Sequence, residues 1–427
     1  MPPRQGPAWA ATLATLAGIR IAVPLAVLAA GESKLPDLPR YVRPRGLSGD
    51  ATGYYATARE TIAAPGRLPA AALAVVGLAV VACVVAFIRL WSPQRRAPLV
   101  VAAAWLVGLV LALDAAEQRF AGAPVVGWPV LWAIPMLPVR LVGAPLDANV
   151  AFWLGLSLQL GCNVVTVVAT AYAGFYATGR RAVGLLAAAI FAFWPLLTGA
   201  LGGGRAWENG TWAVDAGLHM YTEPVSTALV TVALALVLSP RLTPFRLALA
   251  GCALGYSVAV KLSNVVVATA ATALLVWRFR RESRFVGLYA ASVVAFAPLV
   301  AAYWRLGYAD QPSKPGHPLF SASYALTSWT HSLLFRPPVL AALLPLCALG
   351  LAALRDRWSS AAVGLWALAN PLLYSFYRYT PIHPRYLWAS LPAALVLWAA
   401  GAALVIRWPF RARYSGAAGA GFHEPSP

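Results

Sequence analysis

Apolar stretches close to the length of a membrane-spanning helix recur along the whole chain and are separated by polar turns. A helix needs about 20 apolar residues to cross the roughly 30 Å hydrocarbon core of a bilayer. The pattern therefore predicts an all-α polytopic integral membrane protein with about twelve transmembrane helices. They are expected at 8–30, 70–90, 98–114, 148–177, 183–200, 223–239, 246–261, 263–279, 285–303, 333–354, 359–378 and 386–407. These helices form one transmembrane domain over 1–407, and 408–427 is expected to be a disordered cytoplasmic tail.

One apolar stretch, 123–143, does not fit a regular span because four prolines interrupt it. Proline lacks an amide donor, and its ring clashes with the preceding turn of a helix. We interpret this stretch as an interfacial or re-entrant segment, and the pattern leaves open whether it crosses the membrane.

A polar stretch between the first two spans, at 48–60, predicts a short helix over 50–63 that lies along the outer membrane surface. In such a helix Asp50 and Tyr54 share one face, and Tyr55 adjoins them. Asp50 is suited to act as a general base that removes a proton from an acceptor hydroxyl. The alternative is that Asp50 caps the helix by accepting hydrogen bonds from backbone amides.

Charge along the chain predicts its orientation. The chain is 60% hydrophobic and 11% charged, with a formal net charge of +19. Basic clusters fall on alternate loops under the twelve-span count, and Lys and Arg are enriched in cytoplasmic loops. Both termini are therefore expected in the cytoplasm, and the long loops that hold most of the acidic residues are expected on the outer face. Anionic lipid headgroups explain the positive charge, and no nucleic-acid-binding motif is present.

Two cations interrupt the apolar pattern, and ionisable residues inside membrane spans are costly and usually functional. Lys261 falls in a tight turn between two short predicted spans, where it is suited to hold a phosphate as a compact point charge. The alternative is a lysine that extends its ammonium group to the membrane surface and stabilises a helix end. Arg20 lies within the first span and is expected to pair with an acidic neighbour.

Residues of the outer loops supply further candidates for substrate contact. Aromatic residues alternate with carboxylates in the loop 202–223, and this combination suits a sugar because rings stack on its apolar faces. Arg378 and Arg385, near the start of the last span, are suited to a phosphate group. The alternative for each is an interfacial aromatic belt with solvated or lipid-anchoring charges. The candidate substrate-binding residues are Tyr54, Tyr55, Glu208, Asp215, His219, Glu223 and His317.

Five short motifs occur in order along the chain. They are Arg20 in the first span, Gly49-Asp50-x4-Tyr55-x2-Ala58, Tyr221-Thr-Glu-Pro, Gly251-x3-Gly255-x5-Lys261 and Arg385-Tyr386-Leu-x4-Pro392. This ordered set resembles the polyprenyl-phosphate-sugar-dependent glycosyltransferases of the GT-C superfamily, the group of protein O-mannosyltransferases and lipid A aminoarabinose transferase. Two features depart from the family pattern: Asp50 is followed by Ala51 rather than a second acidic residue, and no large C-terminal soluble domain follows the spans.

The resemblance implies an inverting transfer of a hexose or pentose from a polyprenyl-phosphate carrier to an acceptor hydroxyl outside the cytoplasmic membrane. Asp50 matches the catalytic aspartate of the first loop, and Lys261 and Arg385 match positions for donor phosphate contact. The acceptor is a lipid, a glycan or a protein. No cofactor is implied, although acidic outer loops leave a divalent cation open.

The rival class is a transporter or flippase for a lipid-linked sugar. Polar residues lining a continuous path would favour it, and Gln159, Asn163 and Asn264 are the candidates for such a path. A third interpretation is a non-catalytic scaffold with the family fold.

Overall fold

The structure is a computed structural model, and it describes residues 6–30, 50–63, 93–117, 127–197, 218, 221–303, 320–325, 337–378 and 384–418. These residues are helical apart from turns and one isolated antiparallel bridge between Phe320 and Tyr377. The all-α prediction is therefore confirmed for the described part of the chain. The predicted span at 70–90 lies outside it.

The helices follow the predicted spans closely. They are α1 (Pro7–Ala30), α2 (Asp50–Ala63), α3 (Pro93–Glu117), α4 (Gly127–Leu141), α5 (Ala148–Thr178), α6 (Arg181–Ala192), α7 (Glu223–Val237), α8 (Pro244–Val260), α9 (Val265–Phe279), α10 (Ser283–Val294), α11 (Ala297–Tyr303), α12 (Pro337–Ala353), α13 (Arg357–Ser375) and α14 (Leu391–Ala418). Two 3-10 segments, Leu262–Asn264 and Pro384–Ser390, precede α9 and α14. The last helix continues to Ala418, past the predicted boundary at 407.

Five helical stretches in the described residues are long and apolar enough to cross a membrane, and the other apolar helices are shorter. The five are Pro7–Ala26, Ala148–Thr178, Leu262–Phe279, Ser283–Ala302 and Tyr386–Ile406. Their length and composition make this a membrane protein, but they do not establish the predicted count of twelve.

Two observed helix boundaries differ from the predicted ones because a proline lies near each of them. A span was predicted at 183–200, but the regular helix α6 ends at Ala192, shortly before Pro195. The predicted span at 285–303 is divided into α10 and α11, and Pro298 lies in the first turn of α11. Proline suits a first helical turn, but it removes an amide from a helix interior.

Helix α2 was predicted over 50–63, and its bounds are confirmed. It packs against α4, which falls inside the proline-interrupted stretch 123–143. Fifteen residues make α4 about 22 Å long, shorter than the roughly 30 Å hydrocarbon core. Arg140 in the last turn of α4 donates a hydrogen bond to the carbonyl of Ile62 in the last turn of α2, so each helix fixes the position of the other.

Four arginine-bearing turns lie at one end of the helix bundle, which we call the basic end: 178–181, 238–243, 279–283 and 354–357. Contacts join them. The Arg355 amide donates to the Ala177 carbonyl at 2.8 Å. The Trp358 indole donates to the Val237 carbonyl at 3.4 Å, and the Arg278 guanidinium lies 4.1 Å from the Trp358 ring centroid.

The glycines of the Gly251-x3-Gly255 motif serve helix packing. A Cβ atom at Gly255 would lie 2.3 Å from the Val293 carbonyl oxygen, and one at Gly251 would lie 2.6 Å from the Tyr289 carbonyl oxygen. Small residues let helix backbones approach closely where no water drives association. α8 is therefore pressed against α10, which fixes the position of the turn at Lys261.

Candidate functional site

A buried ion pair lies where α8 gives way to α9. The Lys261 ammonium nitrogen is 3.2 Å from a carboxylate oxygen of Glu223, and the two residues are only 8% and 4% exposed. Glu223 opens α7, where its negative charge faces the positive end of the helix dipole. A buried charge without a partner is very costly, so each residue makes the other tolerable.

The backbone breaks at this pair. α8 ends at Val260, Lys261 is extended at φ −152° and ψ 106°, and the 3-10 turn Leu262–Asn264 leads into α9. The Asn264 side-chain amide donates to the Ser226 hydroxyl at 2.7 Å and to the Ser257 carbonyl at 3.0 Å. The Ser257 carbonyl also accepts from the Lys261 amide at 2.8 Å, so the Asn264 bonds join the end of α8 to the first turn of α7.

Two tyrosine rings cover the lysine. Its ammonium nitrogen lies 5.0 Å from the Tyr386 ring centroid and 5.5 Å from that of Tyr374. The two rings stack at 5.1 Å with an interplanar angle of 22°, and the Tyr374 hydroxyl donates to the Ser263 hydroxyl at 2.7 Å. The Lys261 ammonium group is thus surrounded by one carboxylate and two aromatic rings. The negative charge of the carboxylate and the faces of the rings each attract a cation.

Arg20 forms a second buried cationic centre and is fully buried. Its guanidinium donates to the Asn163 side-chain oxygen at 3.2 Å and to the Phe191 carbonyl at 3.4 Å. It also lies 4.7 Å from the Phe191 ring and 5.7 Å from the Trp388 ring. An acidic partner was expected for Arg20; its described contacts are with an amide, a carbonyl and two rings.

The 3-10 segment Pro384–Ser390 touches both cations. Tyr386 lies against Lys261, and Trp388, two residues later, lies against Arg20. Arg385, predicted to contact a phosphate, stands on the same segment beside Tyr386. One short stretch of chain therefore connects two buried charges that come from distant parts of the sequence.

The two cations lie at a similar depth in the bundle. Asn163, the partner of Arg20, is about 22 Å along α5 from its end at Thr178, at a rise of about 1.5 Å per residue. Glu223, the partner of Lys261, is about 21 Å along α7 from its end at Val237. Both distances are measured from the basic end, and both are shorter than the roughly 30 Å core of a bilayer. We call the level of these two cations the charged layer.

The surface helix α2 reaches this layer through an apolar cluster. Tyr54 and Ala58 of α2 belong to the same buried cluster as Val225 and Val260, which are near neighbours of Glu223 and Lys261 in the chain. Helix α4 bridges the two parts, since the Tyr256 hydroxyl of α8 donates to the Gly127 carbonyl at 2.7 Å. Asp50 is the first residue of α2.

The structure brings some predicted residues together and gives others a packing role. Lys261 and Glu223 meet, whereas Tyr54 is 4% exposed and packs in the apolar cluster. Tyr55 is half-buried, with its ring centroid 6.0 Å from that of Trp132. Arg378 is half-buried and directly follows Tyr377, whose ring packs against Tyr374 and Tyr386. The predicted residues Glu208, Asp215, His219 and His317 lie outside the described residues.

Sequence reasoning missed the aromatic part of the site. Tyr374, Tyr386 and Trp388 are the rings that cover the two cations. Their positions near a predicted membrane edge are typical of an aromatic belt. The sequence therefore gave no sign that these rings contact Lys261 and Arg20. Among the described residues no group of three or more His, Cys, Asp or Glu side chains is placed to hold a metal ion.

Comparison of the chain with protein-family models, with curated proteins and with solved structures finds no match.

The buried pair predicts a double-mutant cycle. Lys261→Met and Glu223→Gln each leave one uncompensated buried charge, and each is expected to destabilise the protein by about 3–5 kcal/mol. The double variant removes both charges and should recover most of that loss. Thermal unfolding in detergent compares the stability of the four purified proteins, which are the wild type, the two single variants and the double variant. Additive losses in the double variant would contradict a coupled pair.

Proposed function

We propose that this chain is a membrane glycosyltransferase that moves a hexose or pentose from a polyprenyl-phosphate carrier to an acceptor hydroxyl on the outer face of the cytoplasmic membrane. The reaction inverts the sugar carbon. The acceptor oxygen forms a bond to that carbon as the bond to the carrier phosphate breaks, and polyprenyl phosphate leaves. Asp50 takes the proton of the acceptor hydroxyl.

The observation that carries this proposal is the convergence of separate sequence motifs on one segment. Arg20, the Tyr221-Thr-Glu-Pro motif and the Lys261 turn are far apart in the chain. The residues Arg20 and Lys261 both contact the segment that holds Arg385, and Glu223 joins them through Lys261. Packing of a bundle alone does not require that the motifs of a family pattern meet in this way.

The ion pair gives the site a means of accepting a phosphate. A phosphate oxygen can replace the Glu223 carboxylate at Lys261, and the lysine then keeps an anionic partner throughout. Charge-assisted bonds of this kind are roughly twice as strong as neutral ones. Arg378 and Arg385, which lie close in the chain to the tyrosines that cover Lys261, are further phosphate ligands in this proposal.

The depth of the charged layer suits a donor that enters from the lipid. A carrier phosphate lies near the membrane boundary while its polyprenyl chain stays in the hydrocarbon region. A lysine about 21 Å from the basic end, in a core roughly 30 Å thick, is within reach of that phosphate but below the bulk of the water. Asp50, at the start of a surface helix, would meet an acceptor from the aqueous side.

The buried state of the three path candidates favours transfer over transport. Gln159, Asn163 and Asn264 have no exposed surface. Gln159 donates to the Tyr221 carbonyl at 2.6 Å, and Asn163 and Asn264 bond to Arg20 and Ser226. In this structure they hold helices together and do not line an open path.

The proposed topology has twelve spans, both termini in the cytoplasm and α2 outside. A cysteine placed at Thr52 should react with a membrane-impermeant maleimide in intact cells, and a cysteine at Arg281, in the basic end, should react only after the membrane is opened. The four native cysteines are first replaced by alanine or serine. Labelling of position 52 from the cytoplasmic side alone would reject the orientation.

Donor binding should depend on the buried pair rather than on positive charge in general. The double variant Lys261→Met/Glu223→Gln is expected to bind farnesyl phosphate about ten- to a hundredfold more weakly, because it loses a charge-assisted bond. Arg355→Met/Asp356→Asn is the matched control, since it removes an ion pair of the same 3.2 Å length at the basic end. Calorimetric titration in detergent measures the farnesyl phosphate affinity of both double variants. Equal affinities for the two double variants would exclude Lys261 as a phosphate ligand.

Asp50→Asn distinguishes catalysis from helix capping. Asparagine caps a helix about as well as aspartate, but it cannot take the acceptor's proton. Turnover should fall at least about a hundredfold, within the usual range for a general base, while unfolding temperature and farnesyl phosphate affinity stay near wild type. Glu60→Gln on the same helix serves as the control for loss of one carboxylate. A variant at position 50 that transfers sugar at the wild-type rate would remove Asp50 from the mechanism.

A further inference from the structure

A cavity of about 720 Å³ lies at the basic end, between the turn from α9 to α10 and the start of α13. Its charged lining consists of four arginines and two carboxylates, an excess of two positive charges. They are Arg278, Arg280, Arg281, Arg357, Glu282 and Asp356. Arginine is the residue best matched to phosphate, because its planar group donates two parallel hydrogen bonds. This cavity is remote from the Lys261 site, which lies toward the other end of the bundle.

The cavity lies where two apolar spans meet water. The stretch Leu262–Phe279 ends at its rim, and the next stretch, Ser283–Ala302, begins on the other side of the turn. Trp277, also in the lining, is 61% exposed. Tryptophan is enriched at the level of lipid headgroups, so the cavity opens at the depth where headgroup phosphates lie.

One arginine is held in place before any ligand arrives. The Arg278 guanidinium lies 4.1 Å from the Trp358 ring centroid, and the Trp358 indole is itself bonded to the Val237 carbonyl. A guanidinium held over a ring has lost part of its rotamer freedom already, so less is lost when it binds an anion.

The remaining arginines of the cavity have unused donors within the described chain. The side chains of Arg280, Arg281 and Arg357 make no hydrogen bond or ion pair with the residues that the structure describes. Arg246, at the same end, shows the opposite case, since it donates to the Ser239 hydroxyl and, at 2.9 Å, to the Arg241 carbonyl.

The carboxylate of Asp356 is already engaged. It accepts from the Ser359 amide at 2.7 Å as the cap of α13, and from Arg355 at 3.2 Å. Burial raises the pKa of Asp356, but the bonds from Ser359 and Arg355 outweigh it and lower that pKa from its ordinary value. Its hydrogen bonds are therefore made to the helix start and to a residue outside the cavity lining, and its charge also acts on Arg278.

We propose that this cavity binds the phosphate headgroup of an anionic glycerophospholipid. Its arginines supply the ligands, its position gives access from the membrane, and its two surplus positive charges select an anionic headgroup over a zwitterionic one. The lipid would join the α9–α10 turn to the start of α13, two elements that hold opposite sides of the cavity.

The test compares charge-conserving variants of the full-length protein in detergent. Dioctanoyl phosphatidylglycerol is titrated by calorimetry, with dioctanoyl phosphatidylcholine and sodium phosphate in parallel. Arg278→Lys keeps the charge but loses the planar group over Trp358, and it should weaken phosphatidylglycerol binding about tenfold. Arg284→Lys, on the adjacent turn but outside the cavity lining, should stay within about twofold.

Phosphatidylglycerol binding that is stronger than phosphatidylcholine binding and selectively weakened by Arg278→Lys supports the proposal. An equal affinity of wild type and Arg278→Lys would mean that only diffuse positive charge acts, and it would overturn the site. Sodium phosphate binding as tightly as the lipid would overturn the lipid as the ligand. Equal losses in the two lysine variants would also overturn it, because the cavity would then have no special role.

Discussion

The pairing of Lys261 with Glu223 is the interaction on which the rest of this site depends. Neither charge is tolerable alone inside a helix bundle, because the desolvation of an unpaired ion is not repaid. The pair therefore fixes the beginning of α7 against the end of α8, residues separated by 38 positions in sequence. The break in the backbone, the amide bonds of Asn264 and the stacked tyrosines all surround this contact.

Helices α7 and α8 each have one end at this ion pair. With 15 and 17 residues, these helices are about 22 and 26 Å long, shorter than the roughly 30 Å core of a bilayer, and their charged ends meet. The glycines of α8 then hold it against α10, so the charged ends cannot separate without repacking that contact.

Much of the fold was predictable because it depends on local pattern. Apolar length predicted most of the described helices, and the polar stretch at 48–60 predicted α2 with its observed bounds. The limits at Ala192 and Val294 were missed because single prolines override an apolar run. The contacts of the site were not predictable from local pattern, since Lys261 meets Tyr386 and Arg20 meets Trp388 only after distant helices have packed. The sequence marked the charged residues as costly, but not which partners would make them stable.

The segment Pro384–Ser390 contacts both buried cations through its aromatic rings. Tyr386 and Trp388 are two residues apart in a tight 3-10 conformation, so a displacement of one ring would shift the other. Any ligand that draws Lys261 away from Glu223 also alters the surface on which Tyr386 rests. That displacement reaches Trp388 and the Arg20 guanidinium, which is itself fixed to α5 through Asn163. Occupancy of the lysine site would thereby be felt by the helices that form the centre of the bundle, without any contact between the ligand and those helices.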